Sequence, residues 1–201
     1  MSATFQNKYK NESTRLQQWD YGWDAAYFIT ICTKNREDLF GKIVDGKMEL
    51  SQAGVIADVL WYEIKHHAKN VELGEFVVMP NHIHGIIILE GNKRPGTRDE
   101  NNDNVVVVGA RHALPLLQQQ QSNNEHPSPC HQKSIGQKRF QNQGKNTLSS
   151  IVGSYKSAVT KHANRLNLKF AWQPLFYDHI IRDHRSFENI SRYIIQNPGK
   201  R

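Results

Sequence analysis

Apolar positions along this chain come in two rhythms, and the switches between them mark the elements. "AAYFITICT", Ala25 to Thr33, is a continuous run of β-branched and aromatic residues and predicts a buried strand. "LFGKIVDGKMELS" follows, with Asp45-Gly46 as a turn signal. From Ser51 the period lengthens: Val55, Val59, Leu60 and Ile64 recur at helical spacing and predict a helix with those residues as its apolar stripe. Two strands come next, Glu75–Met79 and His82–Leu89, joined only by Pro80-Asn81. After a polar block, Leu148, Ile151, Val152, Tyr155, Val159 and Leu166 fall on one face of a second helix. Strand character returns around Leu175–Ile181, and a last helix runs from about Ser186 until Pro198-Gly199 stops it.

The order β, α, β, β, α, β with one further helix is that of the ferredoxin-like split βαβ arrangement. The fold class expected is therefore α+β: a ferredoxin-like βαββαβ antiparallel four-stranded sheet, two helices on one face, and an extra C-terminal helix. One domain spans residues 1–201, interrupted at 92–144 by a Gln-, Asn- and Ser-rich segment of low complexity. Such a composition buries too little apolar area to offset chain entropy, so a flexible insertion is expected there. Its apolar island, Val105–Val108, could add an edge strand or a docking segment.

Composition narrows the class. No apolar stretch reaches the ~20 residues a membrane helix needs. The N-terminus lacks the apolar core of a signal peptide, so a cytoplasmic location is expected. Cys32 and Cys130, far apart, support neither a disulfide framework nor a cysteine zinc site. The net charge of +7 is unevenly placed: residues 1–144 hold 16 basic and 16 acidic side chains, residues 145–201 hold 10 and 3. That C-terminal surplus fits a polyanion-binding face, or simply a basic, soluble surface.

The stretch "EFVVMPNHIHGIIILEG" carries the chemistry. Strand alternation puts His82, His84, Ile86 and Ile88 on one face, and Ile83, Gly85, Ile87 and Leu89 on the other, where helices pack. Two imidazoles ~7 Å apart along a strand can converge on one divalent ion. A bare His-x-His is more often a pair of half-exposed histidines. The last helix changes that weighting: Asn189, Tyr193 and Asn197 form a polar stripe beside the apolar stripe Phe187, Ile190 and Ile194. A phenol and a carboxamide then project together from a helix anchored by its other side.

"VMPNHIHGII" resembles the His-hydrophobic-His motif of HUH endonucleases, and "YIIQN" the Tyr-x-x-x-Gln/Asn helix of their single-tyrosine branch. With "WQPLFYDHIIRD" and "SSIVGSYKSAVTKHANRL", the chain resembles the TnpA-type single-tyrosine transposases, and among these the REP-associated tyrosine transposases. The resemblance runs from about Tyr27 to Pro198, outside the insertion. It implies that His82, His84 and Asn197 hold a divalent metal, Mg²⁺ or Mn²⁺, and that Tyr193 is the nucleophile. It also implies single-stranded or hairpin DNA as partner, a 5′-phosphotyrosine intermediate, and either a self-sufficient monomer or a homodimer exchanging its tyrosine helices.

Other residues take lesser places in this reading. Tyr155, the rival nucleophile, lies within the apolar stripe of its helix and is expected in the core. Lys156, Lys161, Arg165, Arg182, Arg185 and Arg192 are candidates for phosphate contacts, against a reading as solvated charge. Trp19, Tyr21 and Trp23 either stack on bases or pack at the sheet edge. His66, His67 and His162 are expected at the surface or at helix ends. The function expected is a metal-dependent single-stranded DNA endonuclease and strand transferase. The competing readings are a non-catalytic hairpin-binding regulator and a His-x-His hydrolase, which would need a larger barrel and further ligands.

Overall fold

A computed structural model describes residues 4–5, 8–9, 19–91, 144 and 146–200. Two short strands, β1 (Thr4–Phe5) and β2 (Lys8–Tyr9), pair with each other. The main chain of elements then runs β3 (Ala25–Cys32), the hairpin β4 (Gly41–Val44) and β5 (Lys47–Leu50), α1 (Gln52–His67), β6 (Val71–Met79), β7 (His82–Leu89), α2 (Leu148–Arg165), β8 (Tyr177–Ile181) and α3 (His184–Gln196). The sheet order is β6-β7-β3-β8, antiparallel throughout, which is the expected split βαβ topology with an added helix. The insertion expected over 92–144, with Val105–Val108, lies outside the described residues but for Gly144.

Each face of the sheet has its own core. Tyr27, Ile29, Ile31, Ile83, Ile87 and Leu89 point to α1 and α2 and are buried with Trp61, Val152, Tyr155 and Val159. Ala26, Ile86, Ile88 and Ile181 point the other way and pack with Ile194 of α3, with Phe28, Val77, Phe187 and Ile190 at the margin. Gly85 explains how the first face closes. A Cβ there would run into the indole of Trp61, which lies against the strand and stacks on Phe76 with ring centroids 4.4 Å apart.

Five sequence expectations need correcting. Strand β6 begins at Val71, four residues before Glu75. The buried face of α1 is Ala53, Ala57, Trp61 and Ile64, whereas Val55 and Val59 are 47% and 54% exposed. Small residues let the helix approach closely and one indole fills the gap, so size outweighed hydrophobicity. On α2 the stripe ends with buried Ala163; Leu166 is the C-cap residue and is exposed. Strand β8 begins at Tyr177, because Leu175 is held at φ 64°, outside the extended region. The last helix begins two residues before Ser186: Asp183 caps it, accepting from the Ser186 amide at 2.8 Å. The Asp45-Gly46 turn is as expected, with both residues at positive φ joining β4 to β5.

Candidate active site

His82 opens β7, opposite Cys32 of β3, and His84 lies opposite Thr30. Both imidazoles stand on the face away from α1 and α2. Their Nε2 atoms are 3.1 Å apart, and each Nδ1 has a polar partner on its far side: Asn81 Oδ1 at 2.8 Å for His82, Thr30 Oγ1 at 2.9 Å for His84. The amide oxygen of Asn81 accepts from His82 Nδ1, and the neutral tautomer that makes this bond presents its lone pair at Nε2. The Thr30 hydroxyl can accept in the same way from His84. Both Nε2 lone pairs then meet in one space, where they repel unless a proton or cation lies between them. Phe28 stacks on His84, centroids 5.2 Å apart, and fixes the plane of its ring.

Helix α3 brings Tyr193 to this pair. Its apolar side seats Ile194, fully buried, on the second core, and the phenol projects beside it, 43% exposed. The Tyr193 hydroxyl lies 3.4 Å from His84 Nε2 of the same chain, with ring centroids 5.4 Å apart. Phe28 meets the Tyr193 ring edge-on at 6.4 Å. Asn197, four residues on, caps the C-terminus of α3 and is buried.

The donor set suits a divalent cation. Two ligands each about 2.1 Å from an ion, set at roughly a right angle, stand about 3 Å apart, close to the observed Nε2 separation. The Asn81 and Thr30 contacts are of the kind that orients imidazoles in metal sites. Among the described residues no three His, Cys, Asp or Glu side chains gather at one point. A further protein donor would therefore have to be neutral oxygen, such as the Asn197 amide.

The basic candidates divide between the two sides of the sheet. Lys156, Lys161 and Arg165 belong to α2, on the face opposite the histidines. Lys156 donates to the carbonyls of Gln173 and Leu175 at 2.8 and 3.0 Å, bracing the loop before β8, and burial lowers its pKa. Lys161 and Arg165 are exposed. Arg182 is exposed just after β8, and Arg185 and Arg192 are exposed on α3, the helix on the histidine side. Trp19 and Tyr21 pack against the first core, with Trp19 Nε1 donating to the Tyr27 hydroxyl at 3.0 Å. Tyr155 is buried and donates to the Ala57 carbonyl at 2.8 Å; desolvation raises its pKa well above the ordinary phenol value. His66, His67 and His162 are exposed in the last turns of their helices.

Three residues that touch the histidines escape a reading of the sequence. Asn81 adjoins the motif and is a polar residue in the turn that precedes it. Thr30 and Phe28 become visible only through the β3–β7 register, which joins positions more than fifty residues apart.

No family model matches the chain. An uncharacterized protein of Haemophilus influenzae is 34% identical to it over 187 residues, 92% of this chain and 87% of that protein. The chain belongs to that protein's family. Among solved structures, a REP-associated tyrosine transposase bound to a REP hairpin superposes with a TM-score of 0.52 at 17% identity, covering 94% of this chain and 74% of the other. The fold is that of a tyrosine transposase. A Deinococcus radiodurans chain named as a candidate transposase matches at a TM-score of 0.36, 14% identity, 94% of this chain and 97% of that one; so low a score adds nothing to the assignment. Among the described residues no helix is long and apolar enough to cross a membrane.

Proposed function

We propose that this chain is a single-tyrosine HUH transposase, which cleaves and rejoins single-stranded DNA. The observation that carries the reading is the meeting of the Tyr193 hydroxyl with the paired Nε2 atoms of His82 and His84. The transposase fold supports it, and the hairpin named with the solved neighbour points to hairpin DNA as the substrate class.

In this reading His82, His84 and Asn197 hold Mg²⁺ or Mn²⁺. When bound, such an ion neutralises charge on the scissile phosphate and polarises it. Tyr193 attacks phosphorus in line; the bond from its oxygen to phosphorus forms as the bond to the 3′ oxygen breaks. The phenol proton leaves to solvent, and the departing oxygen takes one up as a 3′-hydroxyl. The product is a 5′-phosphotyrosine that keeps a phosphodiester linkage, so a second 3′-hydroxyl can displace Tyr193 with no nucleotide cofactor. Asn81 and Thr30 hold the imidazoles with their Nε2 atoms inward, and Phe28 supports both His84 and Tyr193. Arg185 and Arg192 of α3 supply positive charge on the same side, and Arg182 supplies more at the end of β8. The Tyr193 hydroxyl meets His84 of the same chain, which favours a site completed within one subunit.

The test is a denaturing gel of protein incubated with labelled hairpin DNA carrying single-stranded flanks, with Mn²⁺ and with chelator. Wild type should give a metal-dependent covalent band, and Tyr193→Phe should bind the DNA without forming one. A covalent band in Tyr193→Phe would overturn the assignment. Intact binding with no band in wild type, across a panel of hairpins, would favour the regulator reading.

A further inference from the structure

The cross-strand registers draw two rows over the histidine side of the sheet. One row is His84, Thr30, Tyr177; the other is Ile86, Phe28, His179. Directly paired residues of an antiparallel sheet share a face. Thr30 bonds His84 and Phe28 stacks on it, so Tyr177 and His179 stand on the same face as the histidines, two strands away across β3. Strands are spaced about 4.8 Å apart, which puts Tyr177 roughly 10 Å from His84 along the row. Helix α3 lies over β6 and β7 on the other side of the histidines. Tyr177 is 55% exposed and His179 is exposed too.

We infer that Tyr177 and His179 form a base-stacking floor for the single-stranded DNA that runs into the cleavage site. The inference rests on the reading of the site as a strand-cleaving centre. Three features argue for this occupant. The two rings lie on an edge strand, side by side on one face, where an exposed phenol gains little from folding. They share the open face with the histidines across β3, so a strand whose phosphate meets Tyr193 can continue toward them. Arg182 and Arg185 follow β8 directly and offer charge to the backbone of the same strand. An open sheet bearing aromatic rings takes unpaired bases by their π faces, and does so with little regard to sequence.

The test is a binding cycle in a Tyr193→Phe background, where attachment cannot trap the complex. The probe is a labelled DNA hairpin with a thymidine flank, read by fluorescence anisotropy, beside the same hairpin without a flank. Tyr177→Ala should weaken binding of the flanked hairpin about 10-fold, equivalent to about 1.4 kcal/mol. Tyr177→Phe should restore it, and the flankless hairpin should bind all variants alike. An abasic site at one flank position should weaken the Tyr177-containing protein and leave Tyr177→Ala unchanged. Undiminished binding of the flanked hairpin by Tyr177→Ala would overturn the inference, as would an equal loss for the flankless one. Covalent attachment by the Tyr193 protein is measured in parallel. Attachment without coupling to the abasic site overturns the stacking floor alone; coupling without attachment upholds the floor and overturns the strand-cleaving reading.

Discussion

The two faces of the sheet are built from alternate residues of the same strands and do different work. The face under α1 and α2 is closed: Trp61, Tyr27 and a set of isoleucines are fully buried, and even a phenol there, Tyr155, is buried against a carbonyl. The face under α3 is half covered. Its small core of Ala26, Ile86, Ile88, Ile181 and Ile194 stops where His84, Thr30 and Tyr193 begin. The closed face supplies most of the apolar burial that holds the fold. The open one spends its side chains on hydrogen bonds that aim two imidazoles and a phenol. The two tyrosines teach the same lesson. A phenol whose pKa is raised by burial and whose proton is donated to a carbonyl is a poor nucleophile, whereas Tyr193 is exposed beside the histidines.

The largest effect should come from loosening the open face. Ile194→Ala removes the one fully buried side chain of α3 and should cost about 2–5 kcal/mol. Hydrogen exchange should show faster opening in α3 while α1 and α2 keep their protection; uniform loss across both layers would mean that the faces do not act separately. Gly85→Ala strikes the closed face from within the His-x-His strand. The added methyl overlaps the Trp61 ring, so denaturant titration should show a loss of about 1–3 kcal/mol. An unchanged midpoint would show that the indole can move aside.

The orienting contacts can be removed without touching either proposed ligand, His82 or His84. Thr30→Val and Asn81→Ala should each weaken Mn²⁺ binding about 10- to 100-fold by calorimetric titration in the absence of DNA. Thr30→Ser should recover it, and equal affinity in Thr30→Val would dismiss the hydroxyl as an aiming group. Tyr155→Phe should be the mildest of these changes, losing about 1 kcal/mol with its hydrogen bond to Ala57 while covalent attachment persists. A folded but inactive Tyr155→Phe would reverse the roles of the two tyrosines.

Much of this architecture was legible in the chain. The element order gave the topology, and strand alternation separated His82 and His84 from Ile83, Gly85 and Ile87. The apolar stripe of α3 located Ile194 and hence the direction of Tyr193. What stayed hidden depends on approach distances and on register. The buried stripe of α1 is hidden in the sequence because Ala53 and Ala57 are weak hydrophobic signals, yet their small size is what permits contact. Lys156 reads as a surface cation, but its ammonium is taken up by two carbonyls of a loop whose path the sequence does not declare. Thr30, Phe28 and Tyr177 reach the site only through pairings of β3 with β7 and β8. No local pattern encodes those pairings.

Under the proposed function, the difference between the faces comes down to which tyrosine becomes attached to DNA. The most direct measurement is mass spectrometric mapping of the nucleotide adduct after incubation with flanked hairpin DNA and Mn²⁺, nuclease trimming and proteolysis. The added nucleotide mass should fall on the peptide containing Tyr193, with the Tyr155 peptide unmodified. An adduct on Tyr155, or on any residue of the closed face, would contradict it.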